Sequence, residues 1–313
     1  MTGHRHDNPL QELLFALAEA DAQRPPRALG ETVVNAALAT RAPGRPVNEP
    51  SPISAVEAFG RAVASLDQLL TSLTAPEWHR PAVRDLDVQQ LIGHLPGVER
   101  DFQAGLLSPE GAPGDADHVL STDPVAAAQR GRLPSETLDQ WRAATAETMR
   151  AIDSVGASSP RVGEVVALHG LRMSLDPLLV VRTFELWTHE EDVRRATDRQ
   201  LQAPDGASLR LMTDLAVSML PSALRRSGRP GNARRARIVL TGPGGGTWQT
   251  QLGTTPQATP PQGPVDVRIV LDAVDFCRLV ANRMDQAAIA TVVTGDEALA
   301  QDLFAAAASL ALD

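Results

Sequence analysis

The sequence has 313 residues, which is enough for a sizeable buried core and predicts more than one domain. Its net charge of −9 argues against a surface that binds phosphate backbones, so we expect no nucleic-acid partner. All 29 basic residues other than histidine are arginine. Without lysine the protein cannot form a Schiff base or carry a P-loop lysine, and without tyrosine it has no phenolic general acid.

The single cysteine, Cys277, excludes an internal disulfide and a zinc site built on cysteines. Because an isolated cysteine usually packs as a small hydrophobe, we expect Cys277 to be buried and inert. The N-terminus lacks the basic-then-apolar pattern of a signal peptide, and no apolar run approaches the roughly 18 residues of a membrane span. These features predict a cytoplasmic protein with no membrane partner.

Residues 1–50 are predicted to form an N-terminal extension. Short helices are expected within 9–41, and the proline-rich stretch RAPGRPVNEPSP at 41–52 has the composition of a linker. The predicted domains are the extension at 1–50, a helical bundle at 51–200 and a smaller α+β domain at 201–313. The extension is a candidate binding segment for a protein partner.

Apolar residues at intervals of three and four predict four long helices in the second of these segments. We expect them at 54–74, 87–105, 135–153 and 175–197. Ser135 is the expected N-cap of the third helix, which follows a long polar segment at 108–134. The stretch EVVALHGLRMSL before the fourth helix is expected to form either a short extended pair or an irregular turn. Four long helices pack naturally as a bundle.

The chain after residue 200 mixes helices and strands. We expect helices at 207–226, 273–284 and 296–311, and strands in ARIVLTGPGGGTWQTQL and at 265–272. This pattern is that of a small α+β domain. The run GPGGG at 242–246 joins two strands and is followed by neither a helix nor a lysine. We therefore interpret it as a hairpin turn rather than a phosphate-binding loop.

The fourth predicted helix carries a polar stripe on or beside its buried face. At about 100° per residue, Arg182, Glu185, His189 and Asp192 fall within an arc of about 80°. A glutamate and a histidine four residues apart can converge on one metal ion, with His94 on the second helix as the third ligand. The alternatives are a solvated helix face for the first pair and a hydrogen-bonded core histidine for His94.

Two segments around these residues resemble the signature segments of the mycothiol-dependent maleylpyruvate isomerase family. They are VRDLDVQQLIGHLPGVE at 83–99 and VVRTFELWTHEEDVRRA at 180–196. The C-terminal part, from ARIVLTGPGGGTWQ through VTGDEALAQDLFAAAA, is similar to the smaller domain of that family. The resemblance covers roughly residues 54–311, so the first 50 residues lie outside it. Pro96, two residues after His94, also departs from the pattern and is expected to kink the helix.

The resemblance implies an α+β fold class: a DinB-like four-helix bundle followed by a small, sterol-carrier-like α+β domain. It implies a divalent metal, usually zinc, held by His94, Glu185 and His189, and mycothiol as the thiol cosubstrate. The lysine-free, arginine-rich composition is typical of a high-GC genome, as in actinobacteria, and hence of an organism that can make mycothiol.

The implied activity is isomerisation of a small electrophilic substrate, or transfer of the thiol to it. Arg182 is expected to orient Glu185 or to pair with a substrate carboxylate, with Asp192 as its nearest partner. Arg278 or Arg283, from the C-terminal domain, is a candidate to reach the cleft, with solvated charges on a helix surface as the open alternative. Two alternatives stay open: metal-dependent hydrolysis, which needs no thiol, and a non-catalytic metal-stabilised bundle whose extension binds a partner.

Overall fold

The structure is a computed structural model and describes residues 51–107, 124–158, 166–168, 171–228, 234–252 and 264–311. The helices predicted within 9–41, the linker up to residue 50 and most of the polar segment at 108–134 lie outside the described residues. Within the described ranges, no helix is both long enough and apolar enough to cross a bilayer.

The described elements fall into two parts. A mainly helical part comes first in the chain, and a mixed part of helices and strands follows it. The long helices are α1 (Ala55–Thr71), α2 (Val88–Leu107), α3 (Pro134–Ser158), α4 (Leu175–Ala196) and α5 (Gly206–Arg226). Two shorter helices follow, α6 (Ala273–Val280) and α7 (Glu297–Ala308). The strands are β1 (Val166–Leu168), β2 (Leu171–Met173), β3 (Arg235–Thr241), β4 (Gly246–Gln251), β5 (Val267–Asp272) and β6 (Val292–Gly295). Single 3-10 turns lie at Ala75–His79 and Gln286–Ala288.

Helices α1 to α4 pack as two pairs, α1 on α4 and α2 on α3, with α2 also contacting α4. Helix α1 begins where predicted, because Ser54 caps it by accepting a hydrogen bond from the backbone N–H of Glu57. The prediction that Ser135 caps α3 is wrong. Pro134 opens that helix, a position where its missing N–H costs nothing, and the N–H of Leu133 bonds to Glu136 instead.

Helix α4 is buried on nearly every side because α1, α2 and α5 all pack against it. Trp187, on the side away from the polar stripe, is also buried, and its indole N–H donates to the backbone carbonyl of Gln202 at 3.0 Å. Glu190, Glu191 and Asp192 near its C-terminal end are buried as well. Carboxylates are buried only when they are paired, so the charges of α4 must find partners inside the protein.

The mixed part is built on a four-stranded sheet with the order β4-β3-β5-β6. Strands β3 and β5 are parallel, and the other neighbouring strands are antiparallel. Alternate residues of β3 and β5 are buried, and α5, α6 and α7 pack against the sheet. These layers confirm the predicted α+β fold, and the antiparallel pair β1–β2 confirms the predicted extended pair. Strand β6 was not predicted, because its run of four residues is too short for a periodic pattern.

The glycine run joins β3 to β4 in a hairpin whose register pairs Leu240 with Gly246. Gly242 and Gly244 have φ angles of +84° and +69°, a conformation that glycine adopts without steric cost. A Cβ atom on Gly244 would lie 2.7 Å from the Cβ of Leu209 on α5. The run is therefore the predicted hairpin turn, and it packs against a helix.

The chain divides into two compact units, residues 1–49 and 50–313. Every element described above belongs to the second unit. Within that unit, α5 contacts α1 and α4 of the bundle as well as α6, α7 and β4 of the mixed part. The proposed domain boundary near residue 200 stays a prediction.

Deletion of residues 1–49 should leave a protein that unfolds in one cooperative transition near the midpoint of the full chain. We expect this because residues 50–313 form a compact unit with their own core. Thermal unfolding of the two chains, followed by circular dichroism, measures it. A broadened or missing transition in the shorter chain would mean that the extension completes the core.

Candidate metal centre

Helices α2 and α4 bring His94, Glu185 and His189 together, with one ligand atom of each within 4.8 Å of the others. Nε2 of His94 lies 3.7 Å from Oε1 of Glu185. The two imidazole rings meet edge to face, with ring centroids 4.8 Å apart. Both histidines are buried, and the side chain of Glu185 is 11% exposed. The three residues that the sequence singled out as ligands thus share one site, and none of them lies on a solvated face.

The imidazole of His94 is held in one orientation. Its Nδ1 is hydrogen-bonded to the backbone carbonyl of Leu91, one turn earlier on α2, so Nδ1 carries the proton and Nε2 keeps its lone pair. Burial lowers the pKa of His94, which favours the neutral form that binds metals. Helix α2 runs continuously through Pro96 just beyond this histidine.

The imidazole of His189 is supported from its other side by a carboxylate. Its Nδ1 lies 3.5 Å from Oδ2 of Asp192, three residues later on α4. Its Nε2 is buried and makes no hydrogen bond to any part of the chain that the structure describes. A buried nitrogen without a hydrogen bond is costly unless a ligand completes it. His189 is one of the three residues whose ligand atoms converge, which is the arrangement that a metal site requires.

Arg182 is fully buried between two carboxylates. One terminal nitrogen donates to Oε2 of Glu185, and the other donates to Oε1 of Glu99 at 2.6 Å. Thr148 on α3 donates to Oε2 of Glu99 at 2.7 Å. Although burial opposes a charged guanidinium, Glu185 and Glu99 together raise the pKa of Arg182. The side chain therefore stays charged and ties Glu185 to the centre of the bundle.

The expectation that Asp192 would be the partner of Arg182 is wrong. Asp192 instead accepts hydrogen bonds from Arg283, three residues after the end of α6, at 2.9 to 3.2 Å, and lies beside His189. Burial alone would raise the pKa of Asp192, but the hydrogen bonds with His189 and Arg283 hold it below its usual value. Asp192 is therefore an ionised link between α4 and the mixed part.

Arg278, the other arginine predicted to reach the cleft, pairs with a different acid. It donates to both oxygens of Glu191, with the shortest contact at 2.7 Å, and to Asp275 at 3.3 Å. Within the part of the chain that the structure describes, its hydrogen bonds go to these two acids and not to the candidate ligands, whereas Arg283 reaches Asp192 beside His189. Arg278 on α6 and Arg283 just after it thus both pair with α4, but with neighbouring carboxylates.

Sequence reasoning missed Glu99, although a signal was present. Glu99 follows Leu95 by four residues and precedes Phe102 by three, so it lies on the apolar stripe of α2. A carboxylate in such a stripe indicates a buried partner. The identity of that partner, Arg182, depends on how α2 and α4 pack and could not be inferred from spacing.

A cavity of about 320 Å³ lies on a different side of α4. Its walls include Thr183, Trp187 and Glu190 of α4, together with residues of α1 and of the segment before α5. None of the three candidate ligands lines it. The cavity is therefore separate from the candidate metal centre.

Cys277 on α6 is a free and fully buried thiol. Burial raises its pKa far above the usual value for a cysteine. The predicted burial of Cys277 is confirmed, and its raised pKa disfavours the thiolate that a nucleophile needs; that the thiol is inert stays a prediction.

The fold and the site define a class: a helical bundle with a buried His/Glu/His cluster, joined to a small α+β part. Residues 59–194 match the sequence family described as the mycothiol maleylpyruvate isomerase N-terminal domain. This match confirms the resemblance noted in the two signature segments. No curated protein matches the chain.

Two solved structures share the fold. A mycothiol-dependent maleylpyruvate isomerase is 13% identical, with a TM-score of 0.53, and the alignment covers 76% of this chain and 91% of that one. A histidine-to-alanine mutant of such an enzyme is 12% identical, with a TM-score of 0.50 and the same coverage. At these identities the comparison establishes the architecture, including the mixed part outside the matched domain.

Proposed function

We propose that the protein holds one divalent metal ion, zinc, on His94, Glu185 and His189, and acts with mycothiol on a small electrophilic substrate. The observation that carries the proposal is the convergence of the three ligand atoms within 4.8 Å inside the bundle. We include mycothiol in the proposal because residues 59–194 match a mycothiol maleylpyruvate isomerase domain. The reaction is isomerisation of the maleylpyruvate type, which returns the thiol, or transfer, which retains it in the product.

The donor set suits zinc. Two imidazole nitrogens and one carboxylate fill three positions of a tetrahedral site and leave the fourth open, as in catalytic zinc sites. Leu91 and Asp192 orient the two rings from behind, a support that metal-binding histidines usually have. When bound, such an ion lowers the pKa of a coordinated thiol, so that thiolate is available near neutral pH.

Arg182 acts as a positioning residue for Glu185. Its burial and its two carboxylate partners leave it no contact with a substrate. It holds Oε2 of Glu185, so that Oε1 lies toward His94. Its single positive charge also offsets one of the two buried carboxylates, Glu99 and Glu185. The remaining negative charge favours a divalent cation over a vacant site.

Arg278 is the proposed substrate contact from the mixed part. Its side chain is 17% exposed, and Glu191 holds it beside α4. Asp275, at 3.3 Å, is the longer of its two pairings. A substrate carboxylate would replace Asp275, because a planar guanidinium binds a carboxylate through two parallel hydrogen bonds.

Turnover of small electrophiles, including maleylpyruvate and other activated cis-alkenes, should require both zinc and mycothiol. The measurement is product formation by purified protein with each component left out in turn. Cys277→Ala is the matched control and should turn over at close to the wild-type rate, since that thiol is buried and protonated.

Three outcomes would contradict the proposal. Equal rates with and without mycothiol would indicate hydrolysis by a metal-activated water. No turnover of any electrophile would favour a scaffold whose extension binds a partner. Loss of turnover in Cys277→Ala would assign the reacting thiol to the protein itself.

A further inference from the structure

Helix α6 and the segment just after it contribute two arginines that bind neighbouring carboxylates of α4. Arg278 forms a two-pronged pair with Glu191, and Arg283 forms one with Asp192. Both carboxylates are almost completely buried, at 1% and 5% exposure. The two pairs have the same chemistry, join α4 to α6 or to the residues just after it, and differ by one residue along α4. Each pair can therefore serve as the control for the other in a mutational experiment.

Only one of the two pairs reaches the candidate metal centre. Oδ2 of Asp192 lies 3.5 Å from Nδ1 of His189 and also accepts from the guanidinium of Arg283, at 3.0 Å. Among the described residues, the side chain of Glu191 pairs with two arginines, Arg278 and Arg195. The chain Arg283–Asp192–His189 thus connects the mixed part to a candidate ligand, and the chain Arg278–Glu191 does not.

We propose that Arg283 positions His189 for the metal through Asp192, so that the mixed part of the chain sets the metal affinity of the bundle. The inference rests on the proposed metal site. Arg283 is a positioning residue, since it touches the carboxylate behind the histidine and not the ligand nitrogen.

The physical basis is the orientation of the imidazole ring. A carboxylate behind a metal-binding histidine keeps the proton on the far nitrogen and makes the near nitrogen a better donor, and losing such a partner typically costs 10–100-fold in metal affinity. Asp192 performs this role only while its carboxylate faces His189. A second arginine, Arg195 on α4 itself, lies 3.6 Å from Oδ1 of Asp192. Without Arg283, that neighbour draws the carboxylate away from His189.

The test compares Arg283→Met with Arg278→Met in the full chain. Zinc affinity is measured by competition with a chromophoric chelator. Arg283→Met should lose about 10–100-fold in affinity. Arg278→Met should keep the wild-type affinity, although it removes an equivalent buried pair. Equal losses in the two variants, or no loss in either, would overturn the inference, because the pairs would then act only as an interface.

Asp192→Asn is the second arm, and Glu191→Gln is its control. Asp192→Asn should weaken zinc binding as much as Arg283→Met does, and the double variant should show no further loss, because both act through one link. Glu191→Gln should bind zinc normally. Losses that simply add in the double variant would mean that Arg283 acts by another route. Asparagine has nearly the same size and shape as aspartate, so Asp192→Asn should fold normally. The link can therefore be tested with Asp192→Asn even where Arg283→Met folds poorly.

A metal-free measurement separates this inference from the proposed function. Nitrogen-15 NMR of the wild-type protein without metal should find the His189 proton on Nδ1, and Arg283→Met should populate the other tautomer. Wild-type protein that binds no zinc would overturn the proposed function, while the tautomer shift would still support the link. An unchanged tautomer in Arg283→Met would overturn the link whatever zinc does.

Discussion

Replacing Glu185 with alanine should remove stoichiometric zinc from the protein and abolish thiol-dependent turnover. Glu185 is the only carboxylate among the three candidate ligands, and His94 and His189 alone are an incomplete set. Loss of a partner behind a ligand already costs about 10–100-fold in affinity, so loss of a ligand itself should cost more than about 100-fold. Elemental analysis after dialysis against a weak chelator measures the bound metal.

Glu190→Ala is the matched control for that substitution. Glu190 is also a buried carboxylate of α4 paired with an arginine of the same helix, Arg194, but it lines the cavity on the other side of the helix. This variant should keep its zinc. Full zinc content in Glu185→Ala, or equal loss from both variants, would show that the three converging atoms are not a metal site.

Glu185→Gln refines the experiment. The amide keeps the size of the side chain and still offers an oxygen to Arg182, while it removes the charge that a zinc ligand supplies. We expect this variant to lose zinc as Glu185→Ala does but to remain closer to the wild type in its free energy of unfolding. The difference between the two variants separates the ligand role of Glu185 from its role as the partner of Arg182.

The sequence was most informative where a local spacing determined the geometry. Helical periodicity predicted α1, α2 and α4 to within a few residues, and the interval of four between Glu185 and His189 placed them on one face. The hairpin at the glycine run was predicted because the run joins two strands and no helix follows it. Each of these predictions depends on residues that are close along the chain.

The partners of the buried charges could not be predicted in the same way. Arg182 pairs with Glu99, 83 residues away, and Asp192 pairs with Arg283, 91 residues away. A helix with charges around much of its circumference has the same pattern whether water or paired side chains surround it. Trp187 illustrates the difficulty, since its burial depends on the packing of neighbouring elements and not on the periodicity of α4.

Arg182→Met should lower the free energy of unfolding of the metal-free protein by about 3–5 kcal/mol, the usual cost of removing one partner of a buried ion pair. The substitution leaves Glu99 and Glu185 inside the bundle without the guanidinium that joins them. Denaturant unfolding measures the change. Arg142→Met is the control: its pair with Asp67 is far more exposed, so its loss should cost no more than about 1 kcal/mol.

Zinc should reduce the penalty of Arg182→Met. In the metal-free variant both carboxylates have lost the positive charge of the guanidinium, whereas a bound cation would replace that charge for Glu185 and not for Glu99. The variant should therefore gain more stability from saturating zinc than the wild type does. Adding Glu99→Gln should recover part of the loss, because it removes the second uncompensated charge. Equal stabilisation of the two proteins by zinc would mean that Arg182 and the ion do not act on the same carboxylate.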